Sequence, residues 1–569
     1  MTNETKNCQN CKKDFAIESD DFAFYEKMKV PAPTFCPQCR FQRRLMFRNE
    51  QVLYKRKCDL CGKDMVSLFH PEKKDTIVYC QPCWWSDKWD PFEYGRDYDP
   101  SRSIFDQMKD IQKEIPHMTL FTEYLTLVNS DYVNHAGSCK NSYLIFNAED
   151  NENLYYAAIA VNVKDSADCY MIGESELCYE AINCGRSYNI FFSEGIGDCT
   201  DIYFSKALDG CTHCFGCINL RKKSYHIFNE PYSKEEYFKK LEEYKFDSYQ
   251  SIMKMQKEAR KFWIKFSHRF VNASPQNINS TGDYVYNAKN AKDCYQARFI
   301  EDSRYCQFIT TKPEKDCYDH TEWGKGAQRV IDSITVGDGA DSVKYCFGSW
   351  DQNTMNTEYC MYVNSCNNMF ASMNMRKQSY CILNKKYSKE EYKKLRDQIV
   401  KDMNEKPYID SKGRVWKYGD FFPYDLSLFG YNETLAIYYW PLTEECALEK
   451  GWSWREKEIS KHKVTLPPDQ VPDSIKDVQD SILNEIMECG ACNNPYRLVN
   501  GELKLLRRFN LPIPRNCYDC RYATRMARVN PPRLWGRKCD KCRVEVQTSY
   551  APERPEMIYC KDCYQAEIV

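Results

Sequence analysis

Sixteen of the 32 cysteines in this 569-residue chain fall into eight Cys-x-x-Cys pairs, four at each end. The first set is Cys8/Cys11, Cys36/Cys39, Cys58/Cys61 and Cys80/Cys83. The second is Cys489/Cys492, Cys517/Cys520, Cys539/Cys542 and Cys560/Cys563. Two thiolates three residues apart on a tight turn can share one Zn²⁺ with little strain, and two such pairs complete a tetrahedral sulfur shell. Four pairs at each end therefore imply two Zn²⁺ per end and four per chain. A shell filled by four cysteines keeps no open position for water or substrate, so the chemistry expected of these ions is structural. Disulfides would require an oxidising compartment.

The two sets overlay almost residue for residue. Gaps between pairs run 24, 18 and 18 residues in the first set, and 24, 18 and 17 in the second. Pro31-Ala32-Pro33 answers Pro512-Ile513-Pro514, Asn49 answers Asn530, and Arg56-Lys57-Cys58-Asp59 answers Arg537-Lys538-Cys539-Asp540. The ends are thus copies of one module. Consecutive pairs sharing a metal is the simpler arrangement; a cross-braced one would join first with third and second with fourth. The stretch from Cys539 to Cys563 resembles the CxxC-x17-CxxC zinc modules of many bacterial proteins, which favours consecutive pairing. More widely, "PAPTFCPQCRFQRRLMFRNE" and "PIPRNCYDCRYATRMARVN" resemble an uncharacterised zinc-ribbon family of little-studied bacteria, which implies no activity.

Arginines follow each second knuckle: Arg40, Arg43, Arg44 and Arg48, and Arg521, Arg525 and Arg528. On a helix, 40/44 and 521/525/528 share one face. The segment 489–563 holds eleven Arg against five in 8–83, the surplus including Arg507, Arg508, Arg515, Arg533 and Arg543. Nearby arginines can offset the negative charge of a four-thiolate zinc. That need is equal at both ends, so the surplus points to an external anion, and RNA or a ribonucleoprotein is the expected partner. The other readings are a protein-binding scaffold and, more remotely, an enzyme acting on carbohydrate through carboxylates.

These residues must be positioned by the middle of the chain. Tyr132, Tyr143, Tyr155, Tyr170, Tyr179, Tyr188 and Tyr203 recur at short intervals, and Tyr284 to Tyr380 repeat the theme. Short extended stretches with Asn, Asp or Gly turns suit a β-solenoid, in which equivalent side chains of neighbouring coils form ladders. A β-sandwich is the alternative. Interior cysteines such as Cys169, Cys178, Cys184 and Cys199 fit as small ladder residues. The two blocks are themselves copies, each ending in a helix opened by a capping box, Ser233/Glu236 and Ser388/Glu391. Cys211-x-x-Cys214-x-x-Cys217, with His213 and His226, could form a fifth metal site, but the second copy places Cys366, Met369 and Ser372 there, which favours ladder packing.

The fold class expected is mainly β within α+β. Duplicated zinc modules at 1–98 and 486–569 flank β-repeat blocks at 99–230 and 276–386, a helical segment at 231–275, and a helix and linker at 387–485. Trp84, Trp85 and Trp89 should cover the zinc module and dock it. No apolar run reaches the roughly 18 residues of a membrane span. The start "MTNETKNCQN" has no signal-peptide core, so a reducing cytoplasm is expected. With eight His and neither HExxH nor G-x-S-x-G, a His-based active site is poorly stocked.

Overall fold

The computed structural model describes residues 3–274, 276–311, 313–456 and 462–568. Its middle is a β-solenoid of unusually short period. From Asn129 to Phe228 every third residue has positive φ. Each such residue turns the chain, so a side is three residues long. Parallel pairing advances twelve residues per coil, as in Ala158↔Tyr170, Tyr170↔Ile182, Ile182↔Glu194 and Glu194↔Lys206. Four three-residue sides therefore close one coil. Coils are joined by backbone hydrogen bonds such as Tyr170 N–H to Ala181 O and Asp168 N–H to Tyr155 O, both 3.0 Å.

The residue after each left-handed one points inward. Positions 133, 136, 139 and so on to 217 are all Val, Ala, Cys, Ser, Ile, Asn or Leu, and all are buried. Left-handed backbone costs a non-glycine residue about 1–2 kcal/mol. Burying one Val, Leu or Ile returns about 1.5–3 kcal/mol, and each corner is followed by an inward side chain. Asn and Asp tolerate the corner best, and they add ladders along it: Asn129 donates to Asn141 (2.9 Å), Asn141 to Asn153 (3.1 Å) and Asn153 to Asp165 (2.7 Å). Inside, Ser187 N–H donates to Ser175 Oγ, Cys199 N–H to Ser187 Oγ and Cys211 N–H to Cys199 Sγ, each 3.2 Å. Interior cysteines and serines thus hold the same post.

Ile159 and Thr335 are the β-branched residues at such corners among the described residues. Replacing Ile159 (φ 54°) with Asn should relieve the clash and raise stability by up to about 1 kcal/mol. A urea-denaturation midpoint below that of the unchanged chain would contradict this account of the corner.

The second solenoid, within 271–386, obeys the same rule with wider coils. Steps are twelve at its ends (Gly282↔Cys294, Asn367↔Ser379) but fourteen for Ile300↔Glu314, thirteen for Tyr318↔Ile331 and fourteen for Asp341↔Met355. Both solenoids close in a short hairpin and a helix, Lys234–Leu241 and Lys389–Glu405, and both capping boxes form as expected. Tyr237 and Tyr392 are buried beneath those helices.

The sequence blocks regroup in space. One compact unit comprises 3–120, 271–456 and 531–533; the other comprises 121–270, 462–530 and 534–568. Each unit therefore combines one end of the chain with one solenoid: the N-terminal module with the second block, the C-terminal module with the first. Among the described residues, no helix is long and apolar enough to cross a membrane.

Candidate metal centres and their arginine clamps

All sixteen paired cysteines gather into four groups, Cys8/Cys11/Cys36/Cys39, Cys58/Cys61/Cys80/Cys83, Cys489/Cys492/Cys517/Cys520 and Cys539/Cys542/Cys560/Cys563, with sulfurs within 4.8 Å of one another. Consecutive pairs come together; the cross-braced arrangement is not formed. Sulfur–sulfur separations are 3.8 Å for Cys11–Cys36 and Cys61–Cys80, and 3.7 Å for Cys492–Cys517 and Cys542–Cys560. A tetrahedron with metal–sulfur bonds of about 2.3 Å has edges of about 3.8 Å. The donor set therefore fits a tetrahedral thiolate-bound ion.

One local design produces all four groups. The first pair sits on a turn whose fifth residue is left-handed: Lys12, Gly62, Asn493 and Arg543, with φ of 59°, 73°, 60° and 65°. That residue's N–H donates to the carbonyl of the first cysteine at 2.9–3.0 Å in each case. The second pair opens a helix, with Cys36, Cys80, Cys517 and Cys560 at the N-cap positions. Free N–H groups and the positive helix end favour thiolate there. The amide of that N-cap cysteine donates to the first cysteine's sulfur at 3.2–3.3 Å in all four. Burial raises the Cys539 thiol, but N–H groups of Cys542, Cys560 and Lys541 outweigh it and bring the thiol down to about 6. The duplication extends to supporting contacts: Asp59 accepts from Val78 N–H and Asp540 from Ile558 N–H, both at 2.7 Å.

Arg40 and Arg44, and Arg521 and Arg525, do share one helix face, and that face is turned inward; Arg528 follows two residues past the end of its helix. In the second unit, helix Tyr518–Met526 lies on the first solenoid. Arg521 meets Asp168 (2.6 Å) and Glu502 (2.9 Å), and Arg525 meets Asp168 (2.6 Å) and Glu180 (3.3 Å). Arg528 meets Glu180 (3.2 Å) and Glu194 (2.8 Å). Asp168 and Glu180 are one coil apart on the same corner. Coils stack about 4.8 Å apart, and helix residues three or four apart rise about 4.5–6 Å, so a column of carboxylates meets a column of guanidiniums in step. The first unit repeats the device. On helix Pro37–Leu45, Arg40 pairs with Asp319 (2.8 Å), and Arg43 and Arg44 with Asp332 (2.6 and 2.7 Å). Arg48, just beyond, pairs with Glu322 and Glu50.

These arginines therefore answer carboxylates of the solenoid, neither the cysteine groups nor the surrounding solvent. Arg507, Arg508, Arg533 and Arg543 are the exposed members of the expected set; Arg507 pairs with Asp480 (2.6 Å), Arg508 with Asp165 (2.8 Å), and Arg543 comes within 4.0 Å of its neighbour Asp540. The acidic partners on the solenoids were missed in the sequence because they stand some 270 to 360 residues away.

Aromatics seal the same faces. Phe509 packs on Tyr179 and Phe191, and Tyr522 on Tyr170, while Phe24 stacks on Tyr318 at 3.7 Å in the other unit. Trp84, Trp85 and Trp89 dock as expected, with the Arg376 guanidinium of the second solenoid 5.1–5.5 Å from their rings.

Cys211, Cys214 and Cys217 are buried ladder residues of the first solenoid. His213 points away, pairing with Asp201 (3.2 Å) and stacking on Tyr225, and His226 contacts the Ser224 carbonyl. The motif does not converge on a metal.

No family model matches the chain, and no curated protein matches it. Among solved structures, one provisionally named an acetyltransferase, from Desulfovibrio desulfuricans G20, aligns at 12% identity over 52% of this chain and 75% of that chain. Its TM-score of 0.10 carries no argument about this protein.

Proposed function

We propose that the protein is a zinc-stabilised interaction scaffold. Each four-cysteine group holds one Zn²⁺, four per chain, and solenoid sides left uncovered by the zinc modules receive a protein partner. The observation that carries this reading is the arginine clamp: the basic face of each module is engaged by its own solenoid. On the first solenoid, an open groove of about 600 Å³ faces outward. Lys164, Glu174, Glu176, Arg186, Tyr188 and Asp198 line it. Both signs are interspersed, which suits a protein surface better than a polyanion. Tyr188 is 45% exposed, the kind of aromatic anchor on which interfaces depend.

A carbohydrate-cleaving site finds less support here. Arg186 grips Asp198 through two hydrogen bonds of 2.6 and 2.7 Å and holds that carboxyl below its usual range, whereas cleavage needs one acid with a raised pKa.

The test is what copurifies with the native chain. A protein partner should bind at least tenfold more weakly to Tyr188→Ala combined with Arg186→Glu, with metal content unchanged. Should RNA copurify instead, with log affinity falling linearly with log salt, the scaffold reading gives way to nucleic-acid binding.

A further inference from the structure

Apart from Lys223 and His226 in the last coil of the first solenoid, inward positions of both solenoids are small, aliphatic or neutral polar, with one coil of the second solenoid as the exception. Glu314, Cys317 and His320 occupy successive inward positions, three residues apart, and none is exposed. Because each side of a coil contributes one inward residue, the three side chains come from three sides and converge on the axis. A carboxylate oxygen, a thiol sulfur and an imidazole nitrogen accordingly lie within 4.8 Å of one another.

Room for them is built into the backbone. The coil is widened, with Ile300↔Glu314 stepping fourteen residues and Tyr318↔Ile331 thirteen. At Gly324 (φ 83°) a Cβ would stand 2.6 Å from Glu314 Oε2 and 2.9 Å from Ile309 Cγ2, so the glycine makes space for the carboxylate. The neighbouring coils offer mostly apolar or small groups above and below: Ile300 and Ala327, Ser303 and Val330, Cys306 and Ser333.

Hydrogen bonding leaves this cluster incomplete. His320 Nδ1 meets Glu314 Oε2 at 2.8 Å, yet His320 Nε2 and Glu314 Oε1 are both buried with no hydrogen-bond partner among the described residues. Leaving such an atom buried and unpaired is unfavourable, and both occur on side chains that ordinarily ligate metal. We propose that Glu314, Cys317 and His320 form a fifth metal site, inside the second solenoid, for a divalent ion of the Zn²⁺ class. A mixed sulfur, nitrogen and oxygen donor set is one Zn²⁺ accepts readily and Mg²⁺ or Ca²⁺ does not. Binding releases the Cys317 thiol proton. Enclosure makes the ion a structural pin for the widened coils, independent of the four-cysteine groups.

The experiment is elemental analysis of the full-length chain purified under reducing conditions, beside Glu314→Gln combined with His320→Gln. The unchanged chain should carry one more equivalent of metal than the double variant, while the metal of the cysteine groups is retained. Equal metal in both overturns the proposal. If the double variant fails to fold, X-ray absorption at the metal edge of the unchanged chain decides. An imidazole contribution supports the fifth site, and a shell of sulfur alone overturns it. Loss of metal from Cys539→Ser reports separately on the cysteine groups.

Discussion

Cys539→Ser should release one zinc ion and unfold the C-terminal knuckle while leaving the first solenoid intact. The last group is held by a two-stranded hairpin, Trp535–Lys538 with Glu545–Thr548, and the short helix Lys561–Glu567. So little structure buries too little apolar surface to persist alone. Structural zinc contributes roughly 10–16 kcal/mol in small zinc-binding peptides, as much as the whole stability of an ordinary domain, about 5–15 kcal/mol. Elemental analysis should show a loss of one equivalent, and limited proteolysis should cut within 534–568 while sparing 121–230. A strong chelator should strip all four groups. Acid should do the same, because thiolates must take up protons to leave the metal. An unchanged metal content, or cleavage spread evenly over the chain, would sink the assignment of zinc to this group.

The second large effect is expected at Arg525. Its side chain is fully buried, its partner Asp168 likewise, and its other contacts are Glu180 and the Tyr156 carbonyl, the last at 3.2 Å. Arg525→Gln removes one charge and leaves buried Asp168 with Arg521 as its remaining cation. Breaking a buried pair in this way costs about 3–5 kcal/mol. The cost should fall when Asp168→Asn is added, since the half-compensated carboxylate is then neutral, although Arg521 loses a partner in exchange. Urea denaturation of the single and double variants measures both, with metal content as the control that the zinc modules still fold. A cost below about 1 kcal/mol for Arg525→Gln would show that the clamp is dispensable, and would return these arginines to consideration as a binding surface.

Much of this architecture was legible from residue types. The pairs announced the metal groups, their order and their duplication, and the two capping boxes marked helix starts that the structure reproduces. The helix face shared by Arg521 and Arg525 was also legible, although the helix ends at Met526 and leaves Arg528 beyond it; what the face met was not legible, because pairing between a helix and a distant coil leaves no local periodicity. The solenoid's own period was present and easily overlooked. Tyr143, Tyr155, Tyr170, Tyr179, Tyr188 and Tyr203 are separated by 12, 15, 9, 9 and 15 residues, all multiples of three. Cys139, Cys169, Cys178, Cys184, Cys199, Cys211, Cys214 and Cys217 obey the same rule. Tyrosine is the more conspicuous residue, but these tyrosines stand outside the coil, where spacing follows whatever packs against them. The thiols stand inside, where every side contributes one residue, and they report the period directly. In the second block the rule is masked by coils of thirteen and fourteen residues.

A backbone with a corner every third residue makes chain length a quantised variable. Removing twelve residues anywhere along the first solenoid deletes one coil and returns every later residue to its former side, so the shortened stack should close as before. Removing three keeps inward residues inward but rotates everything downstream by one side, a quarter turn about the axis, which would carry Glu180 and Glu194 away from the arginines they answer. Removing one exchanges inside for outside along the whole remainder. Genetic drift in such a chain is therefore confined to whole coils, or to bulges of one or two residues at a corner, which is the kind of irregularity the second solenoid displays.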